Sequence, residues 1–267
     1  WTQVSNLHSV PTDCCQRDER MGWVGDAQMS AEAAAYNFDM AQFYSKFEGD
    51  IRESQLETGS VAGVSPAYWS CYPADPTYAT ACVEFPWVVS RYYDDDRIVE
   101  ESLETMTKWV DYLGSQEDED GIVSFGLFGD WCPPMHANPV DTPFEITSTW
   151  YYCHDALMVS RMAARIGKAD VAKKYREVAN KVADAFNRRF LKVDRYSASK
   201  FSDEELAEKM KADGKTDVLI MGAGPYKHNS CMSAYCVDAQ KMADAAGMLC
   251  WTDDGMVRYF SQILFHE

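Results

Sequence analysis

Four carboxylates stand close together near the start of the sequence, at Asp13, Asp18, Glu19 and Asp26. Arginines, a tryptophan and small residues are interleaved with them: Arg17, Arg20, Gly22, Trp23, Gly25 and Ala27. Neighbouring carboxylates raise one another's pKa and adjacent arginines lower it, so one acid of such a set can stay protonated while others are ionised. Cleavage of a glycosidic bond needs such an acid at the leaving oxygen, with carboxylates and an aromatic side chain around the sugar.

The same residue types are also typical of a solvated, charged turn whose aspartates cap the helix that follows. Composition alone does not separate this interpretation from the catalytic one, so both stay open at this point.

The segment Pro11–Gln28, PTDCCQRDERMGWVGDAQ, resembles almost residue for residue the signature of glycoside hydrolase family 78, the α-L-rhamnosidases. Three later segments continue the resemblance, namely Pro86–Leu113, Phe128–Trp131 and Thr142–Ala163. The likeness covers nearly the whole chain and is weakest over residues 191–230.

This resemblance implies an all-α fold, an (α/α)6 barrel of which the chain holds roughly the first nine to ten helices. It also implies hydrolysis of terminal α-L-rhamnosides with inversion of configuration. Glu19 matches the family's general acid, and we expect Glu145 to stabilise the start of its helix. The residues expected to bind the sugar are Asp13, Trp23, Asp26, Tyr78 and Trp131.

Some positions depart from the family pattern. Cys15 stands where the family has proline, and Thr80 stands where it has a carboxylate. The family's general base is a glutamate that would lie beyond Glu267. We therefore expect the chain to be a segment of a larger protein, whose other barrel helices and β-sandwich domains are its partners.

Two other functions stay open beside a rhamnosidase acting on rhamnosylated glycosides or polysaccharides. The first is a catalytically degenerate relative that binds rhamnose-like sugars or serves a structural role in an assembly. The second is an α/α-barrel enzyme acting on another sugar, such as a lyase or a glucuronyl hydrolase, although the long first motif favours the rhamnosidases.

Helical periodicity dominates the rest of the sequence, so we expect one domain over residues 1–267. The pattern predicts one helix over Ser30–Leu56, then a loop over Glu57–Pro76. The next predicted helices are residues 82–93, with Pro86 in the first turn, and residues 95–114, which end at Gly114. A helical hairpin of Phe144–Ile166 and Ala169–Phe190, joined at Gly167, is predicted after them. The last predicted helices are Ser202–Ala212 and a hairpin of residues 232–249 and 252–265.

The net charge of −17 makes nucleic acid and anionic membrane surfaces improbable partners, because phosphate groups would be repelled. The five histidines have no metal-ligand spacing, so we expect neither a metal nor another cofactor. Nine cysteines leave at least one unpaired, and a disulfide between Cys71 and Cys82 is conceivable. Nothing in the sequence indicates a compartment.

Overall fold

The computed structural model describes residues 1–11, 19–69, 71–131, 142–190, 219–222 and 233–236. The chain divides into two compact units, Trp1–Arg189 and Phe190–Glu267. This division does not test the expectation of one domain, which stays a prediction.

Within residues 1–190, the part that the structure describes contains nine helices joined by loops. No described helix is long and apolar enough to cross a membrane. The helices are α1 Thr2–Asn6, α2 Val24–Met29, α3 Ala31–Asn37, α4 Ala41–Ser54, α5 Pro76–Ala79, α6 Ala81–Tyr93, α7 Arg97–Ser115, α8 Phe144–Arg165 and α9 Ala169–Phe190.

The core of this unit lies where α4, α6, α7 and α8 pack in succession. Phe47 of α4 meets Phe85 of α6 edge to face, with ring centroids 5.3 Å apart, and both side chains are fully buried. Trp109 and Met106 of α7 are buried in the same way. Since burying one such side chain contributes about 1.5–3 kcal/mol, this contact set supplies much of the stability of the fold.

Helix α8 is buried on nearly every side, in contrast to the amphipathic α7 and α9. A helix that is enclosed in this way carries any polar residues into the interior. Thr149, His154 and Asp155 are therefore buried and need partners within the protein.

The prediction of one helix over Ser30–Leu56 is wrong, because the chain breaks at Phe38 between α3 and α4. Phe38 has an extended backbone, with φ −140° and ψ 158°. The hydroxyl of Tyr93 donates to the Phe38 carbonyl at 3.0 Å and accepts from the Met40 N–H at 2.9 Å. One side chain thus satisfies backbone groups on both sides of the break, a tertiary contact that periodicity does not reveal.

Two predictions about helix ends are also wrong, namely that Pro86 lies in the first turn of its helix and that Gly114 ends its helix. Helix α6 already begins at Ala81, which places Pro86 in its second turn. Helix α7 continues past Gly114 to Ser115, where a Cβ at Gly114 would lie 2.9 Å from the Tyr152 hydroxyl oxygen. The glycine is needed for this close approach and does not end the helix.

The α8–α9 hairpin is confirmed, and Gly167 between the two helices has the left-handed φ of +75° that favours glycine. The disulfide is not formed, since Cys71 and Cys82 are both free thiols. Cys82 is completely buried in α6, whereas Cys71 lies in the partly exposed loop before α5.

The second unit contains two short antiparallel strands, β1 Leu219–Gly222 and β2 Ser233–Cys236, with Leu219 opposite Cys236. The predicted helix over residues 232–249 is therefore wrong at its start, where backbone pairing with β1 prevails over the helical pattern. The predicted helices Ser202–Ala212 and 252–265 lie outside the described residues.

A buried carboxylate in α4 makes the stability of the first unit depend on pH. Glu48 is fully buried, close to Arg52 and Ser102. Burial raises the pKa of Glu48 well above its ordinary value of about 4.5, against the opposing charge of Arg52. Because the folded state holds this proton more tightly than the unfolded state, stability falls as the pH rises from 4.5 through the raised pKa.

We expect Glu48→Gln to stabilise the protein at pH 7 by about 1 kcal/mol or more, because the amide cannot ionise in the interior. Thermal unfolding between about pH 5 and pH 8 measures the effect, and the advantage of the variant should shrink toward the acidic end. Glu53→Gln, at an exposed position of the same helix, is the matched control and should show no such trend. An advantage that is independent of pH would contradict this explanation.

Candidate active site

The structure describes five of the six predicted site residues, and Asp13 lies outside the described part. Glu19 and Trp23 precede α2, and Asp26 lies in the first turn of α2. Tyr78 belongs to the short helix α5, and Trp131 follows α7 in the loop of residues 116–131.

Two of the predicted site residues, Trp23 and Glu19, are joined by a side-chain hydrogen bond. The indole Nε1–H of Trp23 donates a hydrogen bond of 2.9 Å to Oε2 of Glu19. Glu19 is exposed, so its other oxygen can meet a ligand. The bond fixes the carboxyl group relative to an aromatic ring that is itself held by its neighbours.

Three aromatic rings meet Trp23 edge to face. The centroid of Trp23 lies 6.0 Å from Trp69, 6.4 Å from Tyr78 and 5.7 Å from Phe128. Phe128 also stacks on Tyr78 at 4.7 Å and meets Trp131 edge to face at 5.5 Å. Through these contacts, which are favourable geometries for aromatic pairs, the structure brings the predicted residues Trp23, Tyr78 and Trp131 into one cluster.

Two glycines of the Pro11–Gln28 motif are needed for close approaches beneath this cluster. A Cβ on Gly22 would lie 2.1 Å from the carbonyl oxygen of Ser65, and one on Gly25 would lie 2.4 Å from the ring of Tyr78. Gly22 also accepts a hydrogen bond from the Ser65 N–H at 2.8 Å. Small residues at these positions let the loop before α5 and the Tyr78 ring pack directly against the motif.

Asp75, which the sequence analysis did not single out, joins α5 to the loop that carries Phe128 and Trp131. Its Oδ1 accepts from the backbone N–H and the hydroxyl of Thr77, at 2.8 and 2.6 Å, which caps α5. Its Oδ2 accepts from three successive backbone N–H groups: Leu127 at 2.6 Å, Phe128 at 2.7 Å and Gly129 at 3.0 Å. An aspartate directly before proline does signal a helix cap, but the second set of bonds has no local sequence signal.

A buried polar network lies along α6, α7 and α8. The Thr80 hydroxyl donates to Oδ1 of Asp155 at 2.5 Å, and Trp109 Nε1–H donates to Oδ2 at 2.9 Å. Burial raises the pKa of Asp155 to about 7, although these two donors and His154 act in the opposite direction. A second carboxylate at position 80 would repel Asp155, so a hydroxyl donor there suits this interior.

A histidine–carboxylate pair adjoins that network. His154 Nε2 lies 2.6 Å from Oε1 of Glu84, and the imidazole stacks on Trp150 with ring centroids 5.2 Å apart. Burial favours the neutral imidazole, but the hydrogen bond and charge of Glu84 outweigh it, so the pKa of His154 is raised. Sequence reasoning missed both residues, because they lie 70 positions apart.

The match to known proteins decides the family. A sequence profile described as the bacterial alpha-L-rhamnosidase 6 hairpin glycosidase domain matches residues 1–250. The chain belongs to this family. The resemblance that the first motif indicated is thereby confirmed for most of the sequence.

Similar proteins include two alpha-L-rhamnosidases, one from Formosa agariphila and one from Streptomyces avermitilis. Each is 31% identical over 195 residues, which cover 72% and 73% of this chain. The same residues are only 21% and 18% of those proteins, so the chain spans about a fifth of the length of these curated relatives.

Solved structures of rhamnosidases show the same fold. An alpha-L-rhamnosidase from Dictyoglumus thermophilum matches with a TM-score of 0.69 and 45% identity, covering 80% of this chain and 24% of that one. The Streptomyces avermitilis enzyme complexed with L-rhamnose matches with a TM-score of 0.66 and 31% identity, over 73% of this chain and 18% of that one. The prediction of an all-α, six-hairpin fold carried in part by this chain is confirmed.

We expect Asp75→Ala to release the loop of residues 127–131 from α5, because five hydrogen bonds to one buried carboxylate are lost. The free energy of unfolding in urea should fall by about 3 kcal/mol. Asp184→Ala, at an exposed position of α9, is the matched control. A variant as stable as the control would show that the loop does not depend on Asp75.

Proposed function

We propose that this chain contributes the acid side of the active site of an inverting exo-α-L-rhamnosidase. The observation that carries the proposal is the exposed Glu19 carboxyl group, held by Trp23 at 2.9 Å inside the family's signature segment. The fold and family membership support the same assignment.

Glu19 is the general acid in this proposal. Its proton passes to the glycosidic oxygen as the bond from that oxygen to the anomeric carbon breaks. A water molecule, deprotonated by a general base, attacks the anomeric carbon from the opposite face and inverts its configuration. Since the Trp23 N–H occupies Oε2 of Glu19, Oε1 is the oxygen that carries the proton toward the leaving group.

The remaining site residues hold the rhamnose ring. Asp13 and Asp26 accept hydrogen bonds from its hydroxyl groups, while Trp23, Tyr78 and Trp131 pack against its C–H surfaces. The clustering of the three aromatic residues around Phe128 supports this role, because a sugar that touches one of them lies close to the others.

The general base comes from outside these 267 residues, in another part of the same protein. The chain's match to only 21% and 18% of two relatives supports this proposal. The natural substrate is a neutral rhamnosylated glycoside or polysaccharide, which suits a chain with a net charge of −17.

Glu19→Gln, prepared in the longest natural form of the protein, tests the assignment. We expect hydrolysis of p-nitrophenyl α-L-rhamnoside to fall by about 10²-fold, and that of methyl α-L-rhamnoside further, because methoxide is a poorer leaving group and needs the proton more. Glu53→Gln should retain parental rates, and proton NMR of the released sugar should show the inverted anomer first. Full activity in Glu19→Gln, or a retained anomer, would overturn the mechanism.

A second candidate function, sugar binding without turnover, is favoured by Cys15 and by Thr80, which stands where the family has a carboxylate. Thr80 bonds to Asp155 and therefore serves the interior of the protein. Calorimetry with L-rhamnose separates the two functions: binding with no hydrolysis of either rhamnoside would favour the second candidate.

A further inference from the structure

The hydrogen bond between Glu19 and Trp23 crosses a short irregular turn. Residues 20–22 belong to neither a helix nor a strand. In a helix, side chains four residues apart meet because the regular backbone brings them to one face. Here the backbone angles of the individual residues in the turn decide whether the Glu19 carboxyl group reaches the Trp23 indole at 2.9 Å.

The far side of this turn is fixed by backbone hydrogen bonds. The Ser65 N–H donates to the Gly22 carbonyl at 2.8 Å, and the Val24 N–H donates to the Gly63 carbonyl at 3.1 Å. Trp23, between Gly22 and Val24, is therefore held by the backbone on both sides as well as by the rings around its indole. Since Trp23 is fixed in this way, the turn has to bring Glu19 to Trp23.

Arg20, the first residue of the turn, has a left-handed backbone with a φ of +60°. L-amino acids with a side chain rarely adopt this conformation, because the Cβ comes too close to a backbone carbonyl oxygen, whereas glycine adopts it freely. The Arg20 side chain is exposed, so its burial does not hold the residue in this conformation. A disfavoured backbone conformation thus lies directly after the proposed acid, and such conformations are concentrated at functional sites.

We propose that Arg20 is a positioning residue whose left-handed backbone brings the Glu19 carboxyl group to the Trp23 indole. The inference rests on the proposed function, because the position of Glu19 affects hydrolysis only if Glu19 protonates the leaving oxygen. The contribution of Arg20 comes from its φ angle and does not need the guanidinium group. With a negative φ at residue 20, the chain turns away from Trp23, and the hydrogen bond from Trp23 Nε1–H to Glu19 Oε2 is lost.

Substitutions that change the preference for φ test this proposal in the longest natural form of the protein. Arg20→Gly adopts the left-handed region freely and should keep the parental kcat/KM on both p-nitrophenyl and methyl α-L-rhamnoside. Arg20→Val, whose β-branched side chain is strongly disfavoured there, should lower kcat/KM about tenfold on the methyl substrate and less than about threefold on the aryl substrate. The two losses differ because methoxide needs the proton of Glu19 more than p-nitrophenolate does.

Asp94→Val is the matched control for backbone strain. Asp94 ends α6 with the same left-handed backbone, at a φ of +53°, and forms an ion pair with Arg165 of α8. The variant introduces the same strain outside the candidate site, so it should lower the temperature of thermal unfolding and leave the ratio of the two substrate activities unchanged. Arg20→Lys keeps the positive charge and the φ preference of arginine, and it should behave as the parent does.

Crystal structures of the variants give a readout that does not depend on hydrolysis. The contact between Glu19 Oε2 and Trp23 Nε1 should remain in Arg20→Gly and be lost in Arg20→Val. The proposal is overturned if Arg20→Val keeps this contact, if it loses activity equally on both substrates, or if Arg20→Gly loses activity that Arg20→Lys retains. The last comparison needs no strained side chain, so it decides even if Arg20→Val does not fold. If the parent hydrolyses neither rhamnoside, the proposed function fails, and the structures still decide whether Arg20 positions Glu19.

Discussion

The buried carboxylate of Asp75 is the interaction on which the candidate site depends. One oxygen caps α5, the helix that carries Tyr78, and the other gathers the backbone N–H groups of Leu127, Phe128 and Gly129. A charged acceptor with several donors makes stronger hydrogen bonds than neutral pairs do, which offsets the cost of burying the charge. Two segments that are about fifty residues apart in sequence are thereby fixed to each other.

Trp23 depends on that arrangement, because two of its three edge-on partners, Tyr78 and Phe128, come from the segments that Asp75 joins. The indole in turn holds Glu19. The buried carboxylate of Asp75 therefore positions the aromatic rings around Trp23, and Trp23 positions the exposed carboxyl group of Glu19. A change that displaces the loop of residues 127–131 would therefore alter the position of the Glu19 carboxyl group, although the loop and Glu19 are linked only through Trp23.

Much of this arrangement can be predicted from the sequence, and the limits have physical causes. Pro11–Gln28 identified the family because a motif of eighteen residues is specific without any knowledge of the structure around it. The α8–α9 hairpin was predicted from helical periodicity and Gly167. The break at Phe38 and the role of Asp75 could not be predicted, because their hydrogen-bond partners lie more than fifty residues away. The helix predicted from residue 232 was wrong at its start because Ser233–Cys236 pairs with the preceding strand Leu219–Gly222, a contact that helical periodicity does not reveal.

Thr80 shows why a departure from a family pattern needs a structural explanation before a functional one. If Thr80 is interpreted only as the loss of a family carboxylate, it suggests a site that no longer catalyses hydrolysis. In the structure it is a fully buried donor to Asp155, whose other oxygen is satisfied by Trp109. Burial already raises the pKa of Asp155 to about 7, so another carboxylate at this contact would raise it further. The exchange at position 80 is thus compatible with a folded interior and with an intact Glu19.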